Sequence, residues 1–144
     1  MISLRQKFFD EMIAHAREED PNECCGLLAA RDGAVTKHYR ITNAERSPYR
    51  YSMDGKELLA AYREIEDNGW EIEVIYHSHP NGQAYLSPTD REVATSPWGD
   101  GPAYPVQQLV VGIDQHRVVE AALYAWSDED EGFVEIARYE GAAT

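Results

Sequence analysis

The sequence predicts an α/β protein, a single mixed-sheet domain flanked by helices. Three observations carry that expectation. Segments 3–19 and 54–67 repeat apolar residues at helical spacing behind polar starts. Two β-rich pairs are joined by the turn signals Asp32-Gly33 and Asp114-Gln115. Between them Trp70 to His79 reads as a central strand, and a third helix start follows at Ser87.

The elements follow in order. In the first helix, Ser3 to Glu19, Leu4, Phe8, Phe9, Met12, Ile13 and Ala16 form one stripe. Ser3 and Gln6 match a capping box, and Asp20-Pro21-Asn22 ends the helix. Cys24–Arg31 and Ala34–Ile41 form a hairpin, with Glu23 at the entrance of its first strand. Thr42 to Ser52 has no period and reads as an ordered functional loop or a short edge segment. Asp54 and Glu57 match a second capping box, with Leu58, Leu59, Tyr62 and Ile65 as the buried stripe and Asn68-Gly69 as the stop. In the central strand Ile72, Val74 and Tyr76 are expected on one face and Ile75, His77 and His79 on the other. Ser87, Pro88 and Asp90 suit the first turn of a short helix that Ser96-Pro97 ends. A Gly/Pro-rich loop, 98–105, leads to strands 106–113, 117–126 and 133–139. There is no repeat, linker or low-complexity tract, so residues 1–144 read as one domain.

Composition excludes some classes. With 26 acidic residues against 13 basic ones, the net charge is −13, which argues against a phosphate-neutralising nucleic-acid binder. The excess reads as a well-solvated surface, with adaptation to high salt as the sharper alternative. No apolar run approaches the ~20 residues that span a bilayer, and the N-terminus lacks a signal-peptide apolar block. A cytoplasmic protein is expected. The two cysteines, Cys24 and Cys25, are adjacent and form neither a disulfide framework nor a C-x-x-C pattern. They read as small buried hydrophobes.

Chemistry concentrates in Val74 to Asp90. On a strand, residues i and i+2 share a face, so His77 and His79 present two imidazoles side by side. Asp90, in the first turn of the next helix, can fold back to join them. Two histidines and one carboxylate leave a coordination position open, the composition of a catalytic zinc site. Such a site needs a base, and Glu23 can serve if its strand lies beside the histidine strand; the Ser87 hydroxyl can donate to an oxyanion. The same ligand set also describes the facial triad of non-haem iron enzymes, and a metal kept as a structural plug in a binding module is a third reading. A zinc nucleobase deaminase is disfavoured, because no P-C-x-x-C pair is present.

Glu23, His77-x-His79-Pro80 and, after Leu86, Ser87-x-x-Asp90 together resemble the signature of the JAMM (MPN-domain, Mov34/PAD-1) zinc metalloproteases. The resemblance extends over most of the chain, and no signature position departs from it. It implies the cytidine-deaminase-like JAMM/MPN fold, Zn2+ held by His77, His79 and Asp90, Glu23 as general acid/base and Ser87 at the oxyanion. The compact chain and the stretch 42–48 resemble the stand-alone prokaryotic branch linked to ubiquitin-like sulfur-carrier proteins. That implies hydrolysis of an amide or isopeptide bond after an extended Gly-Gly tail, in some members releasing cysteine, and leaves a homodimer open. Such a tail would lie as an added strand near the metal. Residues 42–52 and 81–86 are the expected walls, with Asn43, Tyr49, Tyr51 and Tyr85 as contacts.

Overall fold

The computed structural model describes residues 6–140. The chain runs α1 (Gln6–Glu19), β1 (Cys25–Arg31), β2 (Ala34–Ile41), α2 (Gly55–Asp67), β3 (Glu71–His79), α3 (Pro88–Ala94), β4 (Gln107–Asp114), β5 (Arg117–Ser127) and β6 (Gly132–Glu140). The expected helix start at Ser3 and the stripe residue Leu4 lie outside the described residues. The strands form one mixed sheet in the order β2-β1-β3-β4-β5-β6. Only β3 and β4 run parallel; the other neighbours are antiparallel. The class expected from the sequence is therefore the class observed. No helix among the described residues is long and apolar enough to cross a membrane.

Helix α1 covers one face of the sheet. Its stripe, Phe8, Phe9, Met12, Ile13 and Ala16, packs on Cys24, Leu28, Val74, Tyr76, Leu109 and Val111. Burying side chains such as Met12 and Phe8 contributes roughly 1.5–3 kcal/mol each before the ordering cost is subtracted. Helices α2 and α3 cover the opposite face. Under α2 lie Cys25, Leu27, Ala29 and Ile41; beside α3 lie Val110, Ala122, Tyr124 and Phe133. Cys24, just before β1, and Cys25, its first residue, thus point to opposite faces, both buried.

Four local expectations are corrected. The buried side of α2 is Leu58, Ala61 and Ile65, whereas Leu59 and Tyr62 are exposed on the rim of a groove. Both sets have helical spacing, and the one that meets the sheet has Ala61, 3% exposed, between Leu58 and Ile65. Ile72 joins Ile75 under α2 rather than Val74 and Tyr76, because the β1–β3 register shifts between Leu28 and Ala29. A bulge adds one residue and so reverses the facing of everything beyond it. The Asp54 carboxylate does cap α2 by accepting from the Glu57 amide. The Glu57 carboxylate, however, accepts from the Thr42 amide, and the Asp54 amide donates to the Thr42 carbonyl, so the box is not reciprocal. Finally, the β4–β5 turn pair is Gln115-His116, at φ of 51° and 64°, and Asp114 closes the strand.

Candidate active site

The register explains how distant residues meet. β1 and β3 are antiparallel with Cys25 opposite His77, and the Ser78 amide donates to the Cys24 carbonyl. Glu23 therefore stands across from His79. It has the same parity as Cys25, so its side chain leaves toward the α2/α3 face, where His77 and His79 also point. The Ser78 hydroxyl, on the α1 face, accepts from the Cys24 amide at 2.8 Å and fastens the two strand ends together.

Asp90 arrives from α3. Ser87 is the N-cap, Pro88 the first helical residue and Asp90 the third. The capping box is complete: the Asp90 amide donates to Ser87 Oγ at 3.1 Å and the Ser87 amide donates to Asp90 Oδ2 at 3.0 Å. That same Oδ2 lies 3.1 Å from His77 Nε2 and 2.9 Å from His79 Nε2, and the two Nε2 atoms are 3.1 Å apart. Ligand atoms around a four-coordinate zinc with bonds of ~2.0–2.1 Å sit roughly 3.3 Å apart. Three donors converging on this scale fit a metal that bridges them.

The surroundings fit as well. His79 Nδ1 faces the Gln83 carbonyl at 3.1 Å, which fixes the proton on Nδ1 and leaves the Nε2 lone pair for a metal. His77 is fully buried under the Tyr51 ring, stacked 4.8 Å away at 26°, and burial lowers its pKa despite Asp90. A neutral ring is the form that binds a metal. Burial also works against charge on Asp90, but the hydrogen bonds from both histidines outweigh it and hold the carboxyl well below the usual range. For His79, burial lowers the pKa and the bond to Asp90 overrides it, leaving the net direction upward.

Glu23 is different in kind. A carboxylate oxygen of Glu23 lies within 4.8 Å of both imidazoles, farther than Asp90 stands, and among the described residues its buried Oε1 has no hydrogen-bond partner. Burial is the largest influence on it and pushes its pKa up to about 8; nearby Asp90 adds to this and His79 opposes it. An unpartnered buried oxygen at that distance suits a group that handles the proton of a water between itself and the ligands. The two thiols beside it are unsuited to chemistry, since burial pushes Cys24 up to about 12 and Cys25 higher still.

A groove runs past this cluster, lined by Pro21, Glu23, Pro48, Tyr49, His79, Asn81, Tyr85 and Ser87. Of the four expected tail contacts, two stand on it: Tyr49, almost wholly exposed, and Tyr85, half exposed with its ring edge-on to His79. The structure places the other two elsewhere. Tyr51 packs on His77, and Asn43 is buried with its amide bonded to backbone on every side. Neither lines this groove. Sequence reasoning missed the Gln83 carbonyl, the Ser78 hydroxyl and Gly112. A glycine inside a strand signals a close backbone approach, and Gly112 is such a place: a Cβ there would meet Gly82 O at 2.6 Å.

Residues 5–129 match the profile of the prokaryotic homologs of the JAB domain. The chain is 42% identical over 99 residues to the CysO-cysteine peptidase of Mycobacterium tuberculosis, covering 67% of this chain and 68% of that one. It is 35% identical over 103 residues to a desampylase of Haloferax volcanii, covering 67% and 74%. A solution structure of a protein from Desulfitobacterium hafniense superposes with a TM-score of 0.73 at 34% identity, over 94% of this chain and 90% of that one. With its matching profile spanning most of its length, the chain belongs to the prokaryotic JAB-domain family.

Proposed function

We propose that this protein is a zinc-dependent peptidase or isopeptidase that hydrolyses the amide bond after the C-terminal tail of a ubiquitin-like sulfur carrier. The observation that carries this reading is the pairing of His77, His79 and Asp90 at about 3 Å with a buried, unpartnered Glu23 oxygen beside them. A metal serving only as a structural plug requires no such carboxylate. The names of the relatives, CysO-cysteine peptidase and desampylase, support the substrate class.

His77, His79 and Asp90 would hold the zinc, which when bound polarises a carbonyl oxygen and brings the pKa of a bound water to about 7. Glu23 takes a proton from the attacking water and returns it to the departing amine, a role suited to a buried carboxyl oxygen that no hydrogen bond occupies among the described residues. Ser87 Oγ accepts from the Asp90 amide through one of its two lone pairs, which leaves its O–H to donate to the oxyanion of the tetrahedral intermediate. Tyr49, Pro48 and Tyr85 wall the groove in which an extended tail would lie beside His79.

The test is a metal analysis joined to a hydrolysis assay on a carrier ending in Gly-Gly and extended by one cysteine. We expect one zinc per chain, loss of cleavage with a chelator and recovery on adding zinc back. Stoichiometric iron with oxygen consumption would sink the proposal. Glu23→Gln should keep the zinc and lose about 10²–10⁴-fold in kcat; full activity in that variant removes Glu23 from the mechanism.

A further inference from the structure

The side chain of Glu23 has a difficulty that its surroundings must solve. A general acid/base works only when held to a fraction of an ångström, since a misplacement of about 1 Å costs on the order of 10²-fold. Yet among the described residues Glu23 Oε1 has no hydrogen-bond partner to hold it. Its place must therefore come from its own backbone, which lies just before β1 and outside the paired register of β1 with β2.

The backbone is gripped from the loop between β2 and α2. The Glu23 amide donates to the Ser47 carbonyl at 2.9 Å. The Glu23 carbonyl accepts from Asn43 Nδ2 at 3.0 Å. Asn43 is 5% exposed, and every polar position of its amide is used. Nδ2 also donates to the Arg50 carbonyl at 3.1 Å, while Oδ1 accepts from the Glu45 amide at 3.0 Å and the Ser52 amide at 3.1 Å. Two carbonyls on one side and two N–H groups on the other leave a single orientation for the amide. The neck of the loop is closed beside it by Ala44 N donating to Ser52 O at 2.8 Å and by the Asn43–Met53 bridge. On the other side, Cys24 is tied to Ser78 between the two histidines. Glu23 is thus set between the histidine strand and a loop whose own shape depends on one buried amide.

We propose that Asn43 is a positioning residue for Glu23, its Nδ2–H bond to the Glu23 carbonyl fixing where the carboxyl sits relative to His77, His79 and Asp90. The proposal rests on the reading of Glu23 as the acid/base group. It differs from a substrate contact, because Asn43 lies behind Glu23 and does not line the groove. It differs from a plain loop staple, because the two halves of the amide do different work. Oδ1 bonds only within the loop, whereas Nδ2 bonds the loop at Arg50 and also reaches out of it to Glu23.

Asn43→Asp separates the halves. It keeps an oxygen for the Glu45 and Ser52 amides and turns the other half from donor to acceptor, facing the Glu23 and Arg50 carbonyls. Zinc-loaded Asn43→Asp is assayed on the carrier ending in Gly-Gly-Cys, singly and combined with Glu23→Gln. We expect kcat to fall by about 30-fold or more, KM to stay within about threefold, and zinc to stay at one per chain. The double variant should be no slower than Glu23→Gln alone, since residues acting through one group are not additive. In the metal-free protein, hydrogen exchange of the Glu23 amide should quicken about tenfold or more while the His77 amide keeps its protection. Multiplying losses in the double variant, a raised KM with kcat unchanged, or unchanged exchange at Glu23 each overturn the clamp while leaving the base in place. A fully active Glu23→Gln overturns the base, and the clamp with it. If Asn43→Asp does not fold, the same measurements are made on Asn43→Ser, which brings no charge into the pocket. Failure of both to fold also overturns the proposal, since Asn43 would then serve the fold and not the base.

Discussion

At the scale of single residues, backbone atoms place the proposed ligands as much as side chains do. His79 turns Nε2 toward His77 and Asp90 while its Nδ1–H is spent on the Gln83 carbonyl. That carbonyl is where it is because the segment after β3 crosses directly over Gly112, with the Gly82 amide donating to the Ile113 carbonyl at 3.0 Å. A Cβ on Gly112 would come within 2.6 Å of Gly82 O and 3.0 Å of the Gln83 carbonyl carbon, both parts of backbone that cannot swing aside. Gly112→Ala should cost about 1–3 kcal/mol by overpacking and weaken zinc binding about 10–100-fold by moving the partner that orients His79. Zinc affinity measured by competition with a chromophoric chelator, alongside thermal unfolding of the metal-free protein, checks both. A lower melting temperature with unchanged affinity would mean that the Gln83 carbonyl does not orient the ring.

At the scale of elements, α3 has two duties in one turn, and they can be separated. Ser87 caps the helix through its oxygen and keeps its O–H for the groove. Replacing an N-cap serine with glycine costs a helix only a few tenths of a kcal/mol. Ser87→Gly should therefore leave the melting temperature nearly unchanged, keep the zinc and lower kcat by about 10²–10³-fold if the hydroxyl serves the oxyanion. Retained turnover would leave the serine with capping alone. The same helix shows what was legible in the sequence. Ser87-Pro88-Thr89-Asp90 is a local pattern, so its cap, its first turn and the direction of Asp90 could all be read in advance. His77 and His79 were legible for the same reason, through strand parity. Glu23 was legible from the residues only as a conditional, and without that condition only by resemblance, because its place depends on the pairing of Cys25 with His77, a contact across 52 positions that no local period records. The facing of Ile72 was misread because a bulge leaves no mark in hydrophobic spacing. Asn43 and Tyr51 were assigned to the groove because polar and aromatic residues in a loop look alike whether they face outward or in.

At the scale of the whole molecule, the acidic surface and a buried histidine pair act in opposite directions as pH falls. The Tyr76 hydroxyl lies 2.6 Å from both His15 Nδ1 on α1 and His38 Nε2 on β2. One hydroxyl donates once, so it donates to one ring and accepts from the other. His38 Nδ1 faces Glu11 at 3.5 Å, which puts the His38 proton on that side and leaves Nε2 to accept from Tyr76, with His15 donating to the phenol. This bridge ties α1 to the sheet beneath it and needs neutral rings. Burial, aided by Arg40 and the His38 charge and opposed by Glu18, lowers the pKa of His15 to about 4, against 6.5 in the unfolded chain. Between those values the unfolded chain binds the additional proton, so the stability from His15 is whole above pH 6.5 and is lost as pH falls toward 4. The loss approaches about 3 kcal/mol, at 1.36 kcal/mol per pH unit. The net charge of −13 works the other way, since protonating surface carboxylates relieves self-repulsion. Moderate salt suppresses that second effect, because at about 0.5 M the screening length is a few ångströms. Denaturant unfolding of the metal-free protein in 0.5 M salt should therefore show stability falling from pH 7 to pH 5. His15→Leu, which fills the site without a titrating group, should start less stable at pH 7 and show a shallower slope over the same interval. Parallel slopes in the two proteins would show that the acid sensitivity lies elsewhere and that the bridge under α1 tolerates a charged ring.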